Sequence, residues 1–192
     1  NLGRAFVEQG NLESALDSLT TAIELDPKSA AAYNSRGNVY RALAKTDEAL
    51  ADYTKALELD DSLVAAYSSR ARIYEEQDEF ELAIADHTRI IEIDPTNAGA
   101  YNNRGSAYQA WNDFNSAIKD YTQAITLDPN LASAYSNRGR AFQILGDYTS
   151  ALIDLNKAIE LLPTDPSALM ARGDLYRVQE EWTLAIADYT SA

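Results

Sequence analysis

The stretch Tyr101-Asn102-Asn103-Arg104-Gly105-Ser106-Ala107-Tyr108, continued by Ala117, Tyr121, Ala124 and Pro129, decides the fold, because its residues return every 34 positions. Tyr101 belongs with Tyr33, Tyr67 and Tyr135, a column continued by Leu169. Gly105 belongs with Gly3, Gly37, Gly139 and Gly173, with Ala71 filling the one gap. Tyr108 stands with Phe6, Tyr40, Tyr74, Phe142 and Tyr176, and Ala117 with Ala15, Ala49, Ala83, Ala151 and Ala185. Prolines mark the same register at Pro27, Pro95, Pro129 and Pro163, with Asp61 in the skipped place. All 12 tyrosines fall on repeated columns and no insertion breaks the period, so the chain is an array of one supersecondary unit.

Within a unit the apolar residues recur three or four apart, which is helical spacing. Tyr33, Gly37, Tyr40 and Leu43 trace one helix; Ala49, Leu50, Tyr53, Ala56 and Leu57 trace a second. Each unit is therefore expected to be two helices of roughly 14 residues, about 20 Å long at 1.5 Å rise per residue. Asn112-Asp113 and Gly146-Asp147 mark the turn between them in two units. Asp-Pro closes the second helix, since proline disfavours helical geometry in the residue before it. Thr96, Asn130 and Thr164, just after proline, are the expected helix caps. The glycine and alanine columns let two antiparallel backbones approach closely, and stacked neighbours bury a face that one pair cannot bury alone.

The 16 basic and 30 acidic side chains leave a formal charge of -14, the wrong sign for gripping nucleic-acid phosphates. A hydrophobic content of 46% is too high for a disordered acidic tail. No run of 18 apolar residues is present to insert in a membrane. Cysteine is absent and His87 is the single histidine, which removes thiolate chemistry and any two-histidine metal site. The glycines do not form a phosphate loop, no base recurs beside the serines, and no calcium loop is present. No catalysis, metal or cofactor is expected. His87 stands in the column of Leu19, Tyr53, Tyr121, Leu155 and Tyr189 and reads as a core residue; Trp111 and Trp182 read as packing residues. The chain opens and closes inside the helical pattern, so it is expected to be a piece of a longer protein. Absence of cysteine fixes no compartment.

Charge is unevenly placed. Ten of the 11 arginines fall on first helices, and no lysine does. Arg36, Arg70, Arg104, Arg138 and Arg172 form one column; Asp52, Asp86, Asp120, Asp154 and Asp188 form another 16 residues later. In the first unit both are lost together, to Leu2 and Ser18. This predicts a bidentate Arg–Asp pair between helices, within a unit or between neighbours. A second set of columns forms a polar stripe on the first helices. It comprises Arg4, Asn38, Arg72, Ser106, Arg140 and Asp174; Asn34, Ser68, Asn102, Ser136 and Met170 four residues earlier; and Arg41, Glu75, Gln109, Gln143 and Arg177 three residues later.

The quoted stretch and its columns resemble the tetratricopeptide repeat (TPR) family over the whole chain. Complete units are expected at 30–63, 64–97, 98–131 and 132–165, with partial units at 1–29 and 166–192, all in one array. The resemblance implies an all-α, right-handed superhelical TPR solenoid of antiparallel helix pairs, used for protein–protein recognition. It also implies that the polar stripe lines a concave groove that receives an extended peptide. Asn34, Asn38, Arg41, Ser68, Arg72, Asn102, Ser106, Gln109, Ser136, Arg140 and Gln143 would line that groove. Asn103 and Asn137, beside the stripe, look like parts of an asparagine ladder, interrupted by Ser35, Ser69 and Ala171. Amides match the donor and acceptor of a peptide unit, and the arginine fork suits a carboxylate or phosphate. The expected partner is another protein with acidic groups facing Arg72 and Arg140. Chaperone-binding members of the family use lysines on first helices, which this chain lacks. Self-association through the terminal repeats, where Trp182, Ile186 and Tyr189 have no following unit, and an intramolecular regulatory role are the alternatives.

Overall fold

The computed structural model describes residues 12–192, and among these every regular element is an α-helix. The chain divides into two compact units, Asn1–Ile93 and Asp94–Ala192. The first holds α1 (Leu12–Leu25), α2 (Ala30–Ala42), α3 (Thr46–Leu59), α4 (Val64–Glu76) and α5 (Phe80–Ile93). The second holds α6 (Ala98–Ala110), α7 (Phe114–Leu127), α8 (Ala132–Ile144), α9 (Tyr148–Leu161), α10 (Pro166–Val178) and α11 (Trp182–Ser191). Within each unit, consecutive helices pack as the antiparallel pairs of a solenoid, and α2 meets α4 as α8 meets α10. Gly3 and Phe6 lie outside the described residues.

One turn geometry joins every pair. Ala44, Asp78, Asn112, Gly146 and Glu180 all take a positive φ, between 57° and 81°. The next residue then donates its N–H to the carbonyl five positions back, as Lys45 does to Tyr40 and Asp147 to Phe142. These are Schellman closures, in which a left-handed residue satisfies the last carbonyls of a helix. Only Asn112 and Gly146 announce the turn by residue type.

The junctions between units differ in detail from expectation. The caps lie one residue later than Thr96 and Thr164: the Asn97 side chain accepts the Ala100 N–H, and the Asp165 side chain accepts that of Ser167. Leu131, not Asn130, precedes α8 and makes no side-chain cap. At Pro95 and Pro129 the physical reason is the aspartate before the proline; Leu162 precedes Pro163, and there Asp165 itself caps the helix. Asp94 accepts both the N–H and the hydroxyl of Thr96, and Asp128 accepts the N–H of Asn130. Asp60 does the same with Ser62, which is why Asp61 can replace proline without loss of the turn.

The core follows the small columns. Ala15, Ala49, Ala83, Ala117 and Ala151 are completely buried. A Cβ added at Gly105 would stand 2.7 Å from the Tyr121 ring, and one at Gly37 2.8 Å from Tyr53. At residue 71 the column holds alanine, and there the opposing column holds His87, 3% exposed. The shorter imidazole leaves room for the extra methyl, so these two departures from the repeat are one exchange. Trp111 and Trp182 depart from expectation: they are 46% and 58% exposed, because their columns sit at the turn edge of the repeat.

The Arg–Asp columns pair within each repeat. Arg36, Arg70, Arg104, Arg138 and Arg172 each donate Nε and Nη2 to the two oxygens of Asp52, Asp86, Asp120, Asp154 and Asp188, at 2.6–2.9 Å. Each guanidinium also lies 5.6–5.9 Å from the centroid of one or two first-helix aromatic rings, as Arg36 does between Tyr33 and Tyr40. Its Nη1 reaches the preceding second helix: Arg70 to Thr54, Arg138 to Thr122, Arg172 to Asn156. One side chain thus ties both helices of its repeat to the repeat before. Hydrogen bonding to the aspartates holds Arg36, Arg70, Arg104 and Arg172 above the ordinary arginine range.

Candidate functional site

The polar stripe exists because the opposite face of each first helix is committed to glycine, alanine and tyrosine. What the stripe residues do depends on the core residue behind them. In residues 12–93, Asn38 accepts the Tyr53 hydroxyl at 2.8 Å and the Ser69 hydroxyl at 3.4 Å. His87 Nε2 lies 3.0 Å from a Glu75 carboxylate oxygen. Ser68 is exposed and returns its hydroxyl to the Val64 carbonyl. Asn34 and Arg41 are half-buried; Asn34 Oδ1 and Arg41 Nε have no partner among the described residues. Arg72 is exposed and makes no ion pair with any described residue. Arg4 lies outside the described residues.

In residues 94–192 the stripe is more connected. Asn137 donates its amide to Asn102 Oδ1 at 3.1 Å and to the Ser106 hydroxyl at 3.4 Å, and its own oxygen accepts Arg140 Nη2 at 2.6 Å. Gln109 accepts the Tyr121 hydroxyl at 3.1 Å. Burial pushes that phenol up from 10.0 to about 12. Asp174 accepts the Tyr189 hydroxyl at 2.8 Å. Asn103 is exposed. Ser136 is 3% exposed and its hydroxyl has no partner, so it lies inside the helix packing rather than on the surface of the stripe.

One column therefore governs the stripe. Tyr53, His87, Tyr121 and Tyr189 each extend a polar tip to a stripe residue. Leu155, in the same column, has no polar tip. Arg140 and Gln143 stand in that repeat, and no core group holds them. Arg140 makes no ion pair with a described residue, and its Nε is buried without an acceptor.

In front of Arg140 lies a cavity of about 610 Å³, lined by Gln109, Arg140 and Gln143 together with Ile144, Tyr148, Met170, Asp174 and Val178. A second, of about 330 Å³, lies against Ser106, Gln109 and Arg140 on the Tyr121 side. The structure thus gathers six of the stripe residues, Ser106, Gln109, Arg140, Gln143, Met170 and Asp174, around open space, with Asn137 linking Arg140 to Asn102 and Ser106. The apolar half of the cavity went unrecognised in the sequence. Its signal was present: Ile144 and Val178 occupy a column that holds Ala42, Glu76 and Ala110 elsewhere, and Met170 interrupts a column of Asn and Ser. Among the described residues no group of His, Cys, Asp and Glu is placed to hold a metal ion, and no helix is long and apolar enough to cross a membrane.

The repeat columns match known sequence families. A family described as TPR repeat matches residues 3–44; a tetratricopeptide repeat family matches 30–63, 98–131 and 132–165, and another matches 64–97. No curated protein matches the sequence. Among solved structures, a tetratricopeptide repeat protein from Parabacteroides merdae ATCC 43184 is 26% identical, with a TM-score of 0.85 over 97% of this chain and 74% of its own. PilF of Pseudomonas aeruginosa is 21% identical, with a TM-score of 0.81 over 97% of this chain and 85% of its own. YrrB, a TPR protein with an unusual peptide-binding site, is 23% identical, with a TM-score of 0.71 over 92% of this chain and 91% of its own. These structures share the fold, and the repeats support a protein–protein interaction scaffold. With the family matches running from residue 3 to residue 165 and the helix pairs in the same register, this chain belongs to the tetratricopeptide repeat family.

Proposed function

We propose that the chain holds an extended segment of another protein along the polar stripe, with Arg72 and Arg140 as anchors for its acidic groups. The carrying observation is the convergence of Gln109, Gln143 and an arginine without a carboxylate partner on one open cavity. In a chain of net charge -14, such an arginine is a local attractor for an anion. The amides of Asn34, Asn38, Asn102, Asn103 and Gln109 supply donors and acceptors of the kind a peptide main chain needs. The likeness to YrrB supports a peptide ligand. In this reading the 34-residue register makes residues 1–192 one array, a scaffold without catalysis or cofactor of its own.

The test is selection of a displayed library of random twelve-residue peptides on the wild-type chain and on its Arg72→Glu/Arg140→Glu form, both checked for helicity. Peptides retained by the wild type and lost with the double variant support the groove. Peptides retained equally, or none at all, overturn it. A second reading, self-association, rests on α11, whose Trp182, Leu184 and Ile186 are exposed together. Light scattering across a concentration series decides it: a monomer throughout removes self-association.

A further inference from the structure

Resting on the groove reading, we propose that the cavity at Arg140 is its specificity pocket, and that it takes an anionic side chain adjacent to a bulky apolar one. Arg72 and Arg140 share a column, yet they are built differently. Arg72 projects into solvent with His87 and Glu75 occupied behind it. Arg140 is half-buried and oriented by Asn137, which is itself fixed by Asn102 and Ser106. A guanidinium held in place loses less freedom on meeting a ligand. The side chain lines a cavity, and its buried Nε–H has no acceptor.

The other wall of that cavity is apolar but for Ser167 and for Asp174, whose carboxylate accepts the Tyr189 hydroxyl and pairs with Arg177. Ile144, Met170 and Val178 are exposed there, and Tyr148 borders them. Side chains of this kind gain nothing from water and bury well beneath a leucine or phenylalanine. An anion and an apolar group side by side match the two walls at once. Leu155 completes the design, since a tyrosine in its place would extend a hydroxyl toward Arg140 and Gln143 as Tyr121 does toward Gln109. Asn137 is then a positioning residue: it aims Arg140 without neutralising it.

The test uses peptides enriched on the wild-type chain by the selection above, remeasured by fluorescence anisotropy. The expected consensus pairs an acidic residue with Leu, Ile, Met or Phe. Replacing that acid by Asn, or Arg140 by Gln, should each weaken binding by about tenfold or more, the loss of one charge-assisted hydrogen bond. Met170→Glu should weaken it comparably, while Arg72→Gln, outside the pocket, should leave the preference for that acid over Asn intact. Asn137→Asp still accepts from Arg140 but supplies a competing carboxylate. It should erase the preference for acid over Asn, weakening the acidic peptide more than the Asn peptide, a selective loss that general unfolding, which weakens both equally, does not produce. Phosphoserine in place of the acid separates the two anions: a tenfold gain assigns the pocket to phosphate, and equal or weaker binding assigns it to carboxylate. Enriched peptides without an acid, or a loss at Arg72→Gln in place of Arg140→Gln, overturn the pocket and leave the groove standing. No enriched peptide overturns both. Self-association that disappears with Arg140→Gln puts a second copy of the chain there and overturns the proposal.

Discussion

The repeat at 64–97 and the repeat at 132–165 carry the same scaffold and present opposite surfaces. Both have the Arg–Asp pair, at 2.7 Å in Arg70–Asp86 and in Arg138–Asp154. Both bury their packing alanines completely, Ala66, Ala71 and Ala83 in one and Ala134, Ala141, Ala151 and Ala158 in the other. In the first, His87 meets Glu75, and Arg72 is left in solvent. In the second, Leu155 meets nothing polar, and Arg140 and Gln143 face a cavity. A single core column thus decides whether the stripe residues in front of it are engaged from behind or available in front. Function in a repeat array of this kind is set by exceptions to the repeat, written on columns that the fold itself tolerates.

The comparison requires that the Arg–Asp pair be equally structural in both repeats. Asp86→Ala and Asp154→Ala should each destabilise by about 3–5 kcal/mol in urea unfolding, because each strands a half-buried guanidinium. Arg138→Lys should recover only part of the Arg138→Ala loss, since lysine cannot donate in parallel to both oxygens. A difference of several kcal/mol between the two aspartates would show that the scaffolds are not equivalent.

The core column can also be titrated. Tyr121 is raised from 10.0 to about 12 by burial, so the folded state holds the neutral phenol more tightly than the unfolded state does. The stability this contributes is complete below pH 10 and is lost as pH rises toward 12. Across that window the wild type should lose up to about 3 kcal/mol more than Tyr121→Phe. Leu155 has no such proton, and Leu155→Met should leave the pH profile unchanged. Equal profiles for wild type and Tyr121→Phe would remove the buried phenol as the source.

The exchange at residues 71 and 87 gives a smaller effect. His87→Tyr places a phenol against the Ala71 methyl and should cost about 1–3 kcal/mol by overpacking. Ala71→Gly should restore it, recreating the Gly105–Tyr121 arrangement. Gly139→Ala in the other repeat should cost a similar amount, because its Cβ would lie 2.9 Å from Leu155 Cγ and 3.2 Å from the Ala151 carbonyl oxygen. A double variant at 71 and 87 no better than His87→Tyr alone would separate the two departures.

Most of the scaffold was legible because packing against neighbours repeats its demand at the same position each time. The alanine columns, the helix pairs and the Arg–Asp column all answer to that demand. The N-cap positions lie one residue beyond Thr96 and Asn130 because Asp94 and Asp128 hold the N–H groups of those residues in the preceding turn, and the sequence does not rank such local acceptors against a cap. The stripe was legible as a face, since three- and four-residue spacing defines it. Its division was not. That Asn137 is engaged internally, that Ser136 is buried, and that Ile144, Met170 and Val178 close a cavity depend on side-chain direction and on neighbours a column away.

The turns offer the finest contrast between the two repeats. Asp78 and Gly146 occupy the same left-handed position, at φ 60° and 81°. For a residue with a Cβ that conformation costs on the order of 1 kcal/mol, less for aspartate, whose side chain can bond locally. Nothing lies within 4 Å of a Cβ placed on Gly146, so Gly146→Ala is a test of backbone alone. It should destabilise by about 1 kcal/mol, and Asp78→Gly should stabilise by a few tenths, part of the gain being offset by the greater freedom of glycine in the unfolded chain. If Gly146→Ala were neutral, the Schellman closure from Asp147 to the Phe142 carbonyl would not be what fixes this turn, and packing between the two helices would carry it instead.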